Sequence, residues 1–154
     1  MESVRAALDD TDVTATSVDP SAIGRTDVAV VVASVGSDLF EIAAREARER
    51  QTPIISIELG GVGGRPVSDV DAAVSGSAPG TACYDCLRRR VDAGDPDTDG
   101  GEFDAPTARV AGAVARHELA ALGDGRESAG GGEPRPLVAS LLYTAAAADD
   151  SAPP

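Results

Sequence analysis

The stretch "DVAVVVAS" (Asp27–Ser34) limits what this chain can fold into more than any other feature. It is apolar at nearly every position, so it offers no polar face to water. A strand with one wet face alternates apolar and polar residues. A near-continuous β-branched run suits a central strand covered on both faces, as in a parallel sheet. The next segment, "SDLFEIAAREARERQ", has helical periodicity. Asp38 is the expected N-cap, with Glu41 three residues on completing a capping box. Leu39, Ile42, Ala43 and Ala47 form the expected buried stripe. Glu41–Arg45, Arg45–Glu49 and Glu46–Arg50 are i,i+4 pairs on the wet side. "TPIISIEL" (Thr52–Leu59) then reads as a second buried strand, closed by "GGVGG". Strand, helix and strand at this spacing predict an α/β fold with a mainly parallel sheet.

The flanking segments extend this pattern. "ESVRAAL" (Glu2–Leu8) reads as a short amphipathic helix, and "VTATSV" (Val13–Val18) as a strand ended by the turn signal "DPSA". "DAAVSGS" (Asp71–Ser77) reads as a short strand and "CYDCLRRRVDA" as a helix. "GDPDTDGGEFD" (Gly94–Asp104) is an acidic loop without periodicity. "APTARVAGAVARHELAALG" is the strongest helix signal: Pro106 stands in its first turn, and Ala108, Ala111, Gly112, Ala115, Leu119 and Leu122 share one face. These elements place one domain at 1–126. Residues 127–154 form a low-complexity, Gly-, Pro- and Ala-rich tail, expected to be disordered apart from an edge strand in "PLVASLLYT".

Charge narrows the function classes. The formal net charge is −13, from 26 acidic and 13 basic residues, and every basic residue is Arg. Such a surface suits a protein kept hydrated in concentrated salt, where self-repulsion is screened, and a halophilic chain is expected. Nucleic-acid binding is disfavoured, because Arg88-Arg89-Arg90 is the one basic cluster in an acidic surround. The longest apolar runs, Val28–Gly36 and Leu137–Ala148, fall short of the roughly 20 residues a membrane helix needs. The acidic start "MESVRAALDD" does not resemble a signal peptide, so a cytoplasmic location is expected.

Four features are candidates for chemistry. "LGGVGGRP" (Leu59–Pro66) meets neither the G-x-G-x-x-G spacing nor the Lys requirement of a phosphate loop, and no ATP site is visible; a tight strand-exit loop is expected. His117 is the single histidine, expected at a solvent-facing or edge position, and no triad surrounds it. The Arg triplet is expected to be a solvated face pairing with local Asp residues. Cys83 and Cys86, the only cysteines, stand as C-x-x-C. Three readings of this pair remain open: half of a zinc site lacking its second pair of ligands, two inert core thiols, or a redox dithiol.

The order of these parts carries a resemblance. "GTACYDCLRRRV" (Gly80–Val91), after a strand and a Gly-rich turn, resembles the C-x-x-C-L segment of ubiquitin-activating-enzyme-like proteins. "TARVAGAVARHELAALGDG" (Thr107–Gly125) resembles their helix rich in small residues. More closely, Ile57–Val91 resembles the N-terminal region of haloarchaeal YcaO-type proteins, which are similar to cyclodehydratases that form azolines or thioamides in peptides. The resemblance spans roughly residues 1–126. It implies a Rossmann-like, three-layer accessory domain that does not adenylate, beside a separate ATP-using YcaO domain. It also implies that Cys83 and Cys86 are ligands of a structural zinc, completed in the family by a second C-x-x-C. This chain has no second C-x-x-C and no YcaO segment, and the family's first strand lies ahead of its opening helix. An incomplete, truncated domain is therefore expected. Its expected role is a non-catalytic accessory or docking module that holds a YcaO-domain protein, a substrate peptide or a second copy of itself. The alternatives are a small thiol-redox protein using the C-x-x-C pair and a non-functional remnant.

Overall fold

The computed structural model describes residues 13–25, 27–98, 104–130 and 137–143. Five strands form one sheet: β1 (Val13–Ser17), β2 (Val28–Ser34), β3 (Ile54–Leu59), β4 (Ala72–Ser77) and β5 (Leu137–Tyr143). Their spatial order is β1-β5-β2-β3-β4. Three helices accompany them: α1 (Leu39–Glu49), α2 (Tyr84–Ala93) and α3 (Ala105–Gly130). A short 3-10 helix spans Pro20–Arg25, at the turn signal that closes β1. The protein is thus a mixed α/β fold with a mixed sheet. The expected helix Glu2–Leu8 lies outside the described residues, as do 99–103 of the acidic loop and 131–136 and 144–154 of the tail.

The Val-rich run sits where its composition requires. Val28 to Ala33 are all buried, and β3 is buried along its whole length. One face of the sheet carries Val28, Val30, Val32, Ile55, Ile57 and Leu59 against Ala108, Ala111, Ala115 and Leu119 of α3. The other carries Ala29, Val31, Ala33 and Ile54 against Phe40, Ala43, Ala44 and Ala47 of α1, together with Ile23 and Tyr84. The expected α3 face is the buried one, Gly112 included; Leu122 lies outside the residues whose side chains are described.

Two local expectations are corrected. The buried face of α1 is Phe40, Ala43, Ala44 and Ala47, and Ile42 is 37% exposed. The capping box does not form: Asp38 makes no side-chain cap, and the Ser37 hydroxyl accepts the Leu39 N–H at 3.3 Å. Glu41 instead pairs with Arg88 of α2. β1–β5, β5–β2 and β2–β3 pair in parallel, but β4 runs antiparallel to β3. No helix separates Leu59 from Ala72, so the chain turns back along β3, and the Gly60 N–H donates to the Asp71 carbonyl at 2.7 Å.

The tail segment "LVASLLY" is not an edge strand. As β5 it lies between β1 and β2, with Val28 opposite Ala139 and Val32 opposite Tyr143. Helix α3 runs through the boundary expected near residue 126. At its start the Asp104 carboxylate accepts the Thr107 N–H at 2.8 Å and its hydroxyl at 2.7 Å, capping the helix. No helix among the described residues is long and apolar enough to cross a membrane.

Candidate functional site

The loop from β4 to α2 ends at Cys83, the N-cap of α2, with φ −94° and ψ 175°. It is folded tightly: the Ser77 hydroxyl donates to the Ala82 carbonyl at 2.9 Å, and the Thr81 hydroxyl donates to the Ala78 carbonyl at 2.7 Å. Cys86 follows in the first helical turn. Cys83 is half-buried, Cys86 is exposed, and both are free thiols with their sulfurs 3.8 Å apart. The inert-core reading is the one this position suits least, since a core thiol would be enclosed.

Hydrogen bonding from the Cys86 backbone is the main influence holding the Cys83 thiol below its ordinary range; burial opposes it, while the Arg48 guanidinium and the Asp85 backbone assist. Arg48, on the last turn of α1, also pairs with Asp85 at 3.3 Å. Beside the pair opens a hollow of about 330 Å³. Buried Ala44, Ala47, Ile54 and Tyr84 form its apolar floor, and Arg48, Gln51, Ser77, Thr81 and Cys83 its polar rim. Cys83 lines this hollow and Cys86 does not.

What holds the helix N-terminus in place is a buried polar knot that sequence patterns do not single out. Glu58 is 1% exposed. Its carboxylate accepts the Gly63 N–H at 2.7 Å, the Gly64 N–H at 2.8 Å and the Tyr84 hydroxyl at 2.8 Å. Tyr84 stands between the two cysteines, and its ring stacks on Phe40 with centroids 5.4 Å apart. Burial and the adjacent Glu58 carboxylate push the phenol of Tyr84 well above its ordinary range. The glycine loop is the expected tight strand exit, with Val62 and Arg65 exchanging backbone hydrogen bonds at 3.0 and 3.1 Å. Two of its N–H groups, the kind that could hold a phosphate, hold the chain's own carboxylate. Gly63 has φ +61°, and a Cβ there would lie 2.8 Å from Val91 Cγ2 on α2, so the loop packs closely on that helix. The signal available in the sequence is Glu58 itself, an acid inside an apolar strand immediately before a double-glycine loop.

As donors, the two thiols fit part of a zinc site. Thiolates about 2.3 Å from a tetrahedral zinc lie roughly 3.8 Å apart, which matches the sulfur separation. Among the described residues no group of three or more His, Cys, Asp or Glu side chains could complete the set. His117 is exposed on α3, across the sheet from α2, and is not brought to the pair. In the Arg triplet, Arg88 pairs with Glu41, while Arg89 and Arg90 are exposed. Compared with protein-family models, curated proteins and solved structures, the chain matches none of them.

Proposed function

We propose that the chain is a non-catalytic docking module, a Rossmann-like accessory domain of the kind associated with YcaO-type peptide backbone modification. The carrying observation is the pair of half-buried Cys83 and exposed Cys86, whose 3.8 Å separation is that of two ligands on one tetrahedral zinc. Among the described residues only these two ligands come together, and on this reading a second polypeptide supplies the rest. In the isolated protein that polypeptide is a second copy, which brings two more cysteines. In the cell a YcaO-domain protein or a substrate peptide is the proposed partner. Three parallel strand pairings with helices on both faces support the Rossmann-like assignment. The module holds its partner and leaves the chemistry to it. Sedimentation of the reduced chain with and without zinc tests this: zinc should convert monomer to dimer, and Cys86→Ser should abolish the shift. A dimer that forms equally well without zinc would sink the zinc-bridged reading.

A second reading, a small thiol-redox protein, is favoured by one asymmetry. Cys83 sits at a helix N-terminus and faces a hollow, with Cys86 one turn on and exposed. A protein of this kind cycles the pair between dithiol and disulfide.

A further inference from the structure

The hollow beside Cys83 has no part in zinc docking, and its use as a substrate subsite rests on the thiol-redox reading. Exchange with a disulfide on the surface of a folded protein needs an open, flat approach to the attacking sulfur. Here the approach to Cys83 is a concavity of about 330 Å³, at the small end of the size range of small-molecule sites. Its floor is apolar and its rim is polar. The cation on the rim is Arg48, whose ion pair with Asp85 joins two side chains each more than half exposed. Such a pair is weak and leaves the guanidinium able to take a second carboxylate. Cys86 lies outside the hollow and 3.8 Å from Cys83, within reach as a resolving thiol.

We propose that Cys83 is a thiol–disulfide exchange site for small carboxylate-bearing disulfides, with the hollow as the substrate subsite, Arg48 as its carboxylate contact and Cys86 as the resolving cysteine. The Cys83 thiolate attacks one sulfur of the bound disulfide. A new S–S bond forms to Cys83, the substrate S–S bond breaks, and one thiolate leaves with its electron pair. The Cys86 thiolate then attacks the Cys83 sulfur, closing the Cys83–Cys86 disulfide and releasing the second thiolate. Two electrons pass from the protein dithiol to the substrate, and a small dithiol reductant restores the protein.

The test compares the reduced wild-type chain with Cys83→Ser, Cys86→Ser and Arg48→Gln, using 3,3′-dithiodipropionate as the anionic probe and bis(2-hydroxyethyl) disulfide as the neutral one. Cys86→Ser should trap the mixed disulfide on Cys83 about tenfold faster than Cys83→Ser traps it on Cys86. Arg48→Gln should slow the anionic probe by about threefold or more relative to the neutral one. Equal trapping rates at the two cysteines, or equal effects of Arg48→Gln on both probes, would overturn the assignment of the subsite while leaving the pair redox-active. Failure of the wild-type chain to form an intramolecular disulfide with either probe would overturn the thiol-redox reading itself. Loss of structure in a variant is read separately from its far-UV circular dichroism, and Cys83→Ala and Cys86→Ala replace any serine variant that unfolds.

Discussion

Glu58 brings a carboxyl group into a largely apolar, buried strand, and three donors from two other segments meet it there. A buried acceptor stripped of a donor is costly, so Tyr84→Phe should lower stability by about 1–3 kcal/mol, seen as an earlier denaturation midpoint with an unchanged slope. The pH response has a definite sign. The phenol is raised in the folded state, so its contribution is complete below the ordinary tyrosine value of about 10 and is lost as pH rises past it. The wild-type chain should therefore destabilise in alkali more steeply than Tyr84→Phe; equal slopes would mean that Tyr84 is not buried against Glu58. The burial of β3 is legible in "IISIEL", but the role of its acid is not. The donors come from a loop five and six residues on and from a tyrosine 26 residues on, and no local pattern links them. The cysteines are legible as a pair from spacing alone. Which one faces a hollow depends on how α1 and the β4–α2 loop meet.

At the scale of elements, α1 shows how far periodicity reaches. Both Leu39–Ile42–Ala43 and Phe40–Ala43–Ala44–Ala47 satisfy helical spacing, and the sequence alone does not choose between these two overlapping faces. The choice is made by Tyr84 of α2, on which Phe40 stacks, and by Arg88 of α2, which takes Glu41 away from the helix cap. Phe40→Ala should cost about 3–5 kcal/mol, as for a large buried aromatic. Ile42→Ala should cost less than about 1 kcal/mol, because more than a third of Ile42 is already wet. Comparable losses at the two positions, by chemical denaturation in concentrated potassium chloride, would mean that the other face is the buried one. The buried face of helix α3, with Ala108, Ala111, Ala115 and Leu119, is the expected one, and Val110 and Val114 on the same helix are exposed.

Over the whole molecule, the least legible fact is the position of β5. Its run lies beyond a Gly- and Pro-rich stretch that reads as tail, and nothing local says that β1 and β2 pair through it rather than with each other. Removing residues 131–154 should leave the backbone of Val28–Val32 unpaired on one side, so the truncated chain should aggregate or lose its cooperative transition. A truncated chain that unfolds like the full one would show that β2 does not depend on β5. The sheet in turn sets where α2 begins, and with it the cysteine pair on which docking rests. Whether that pair docks a second copy through a shared metal is decided by elemental analysis of the reduced, purified chain, with reactive thiols counted in the same sample. A zinc bridge between two copies of the chain predicts about half a zinc per chain, in a dimer whose thiols react only after chelation or unfolding. A monomer without zinc, with both thiols freely reactive even after zinc is added back, would rule out a zinc bridge between two copies of the chain.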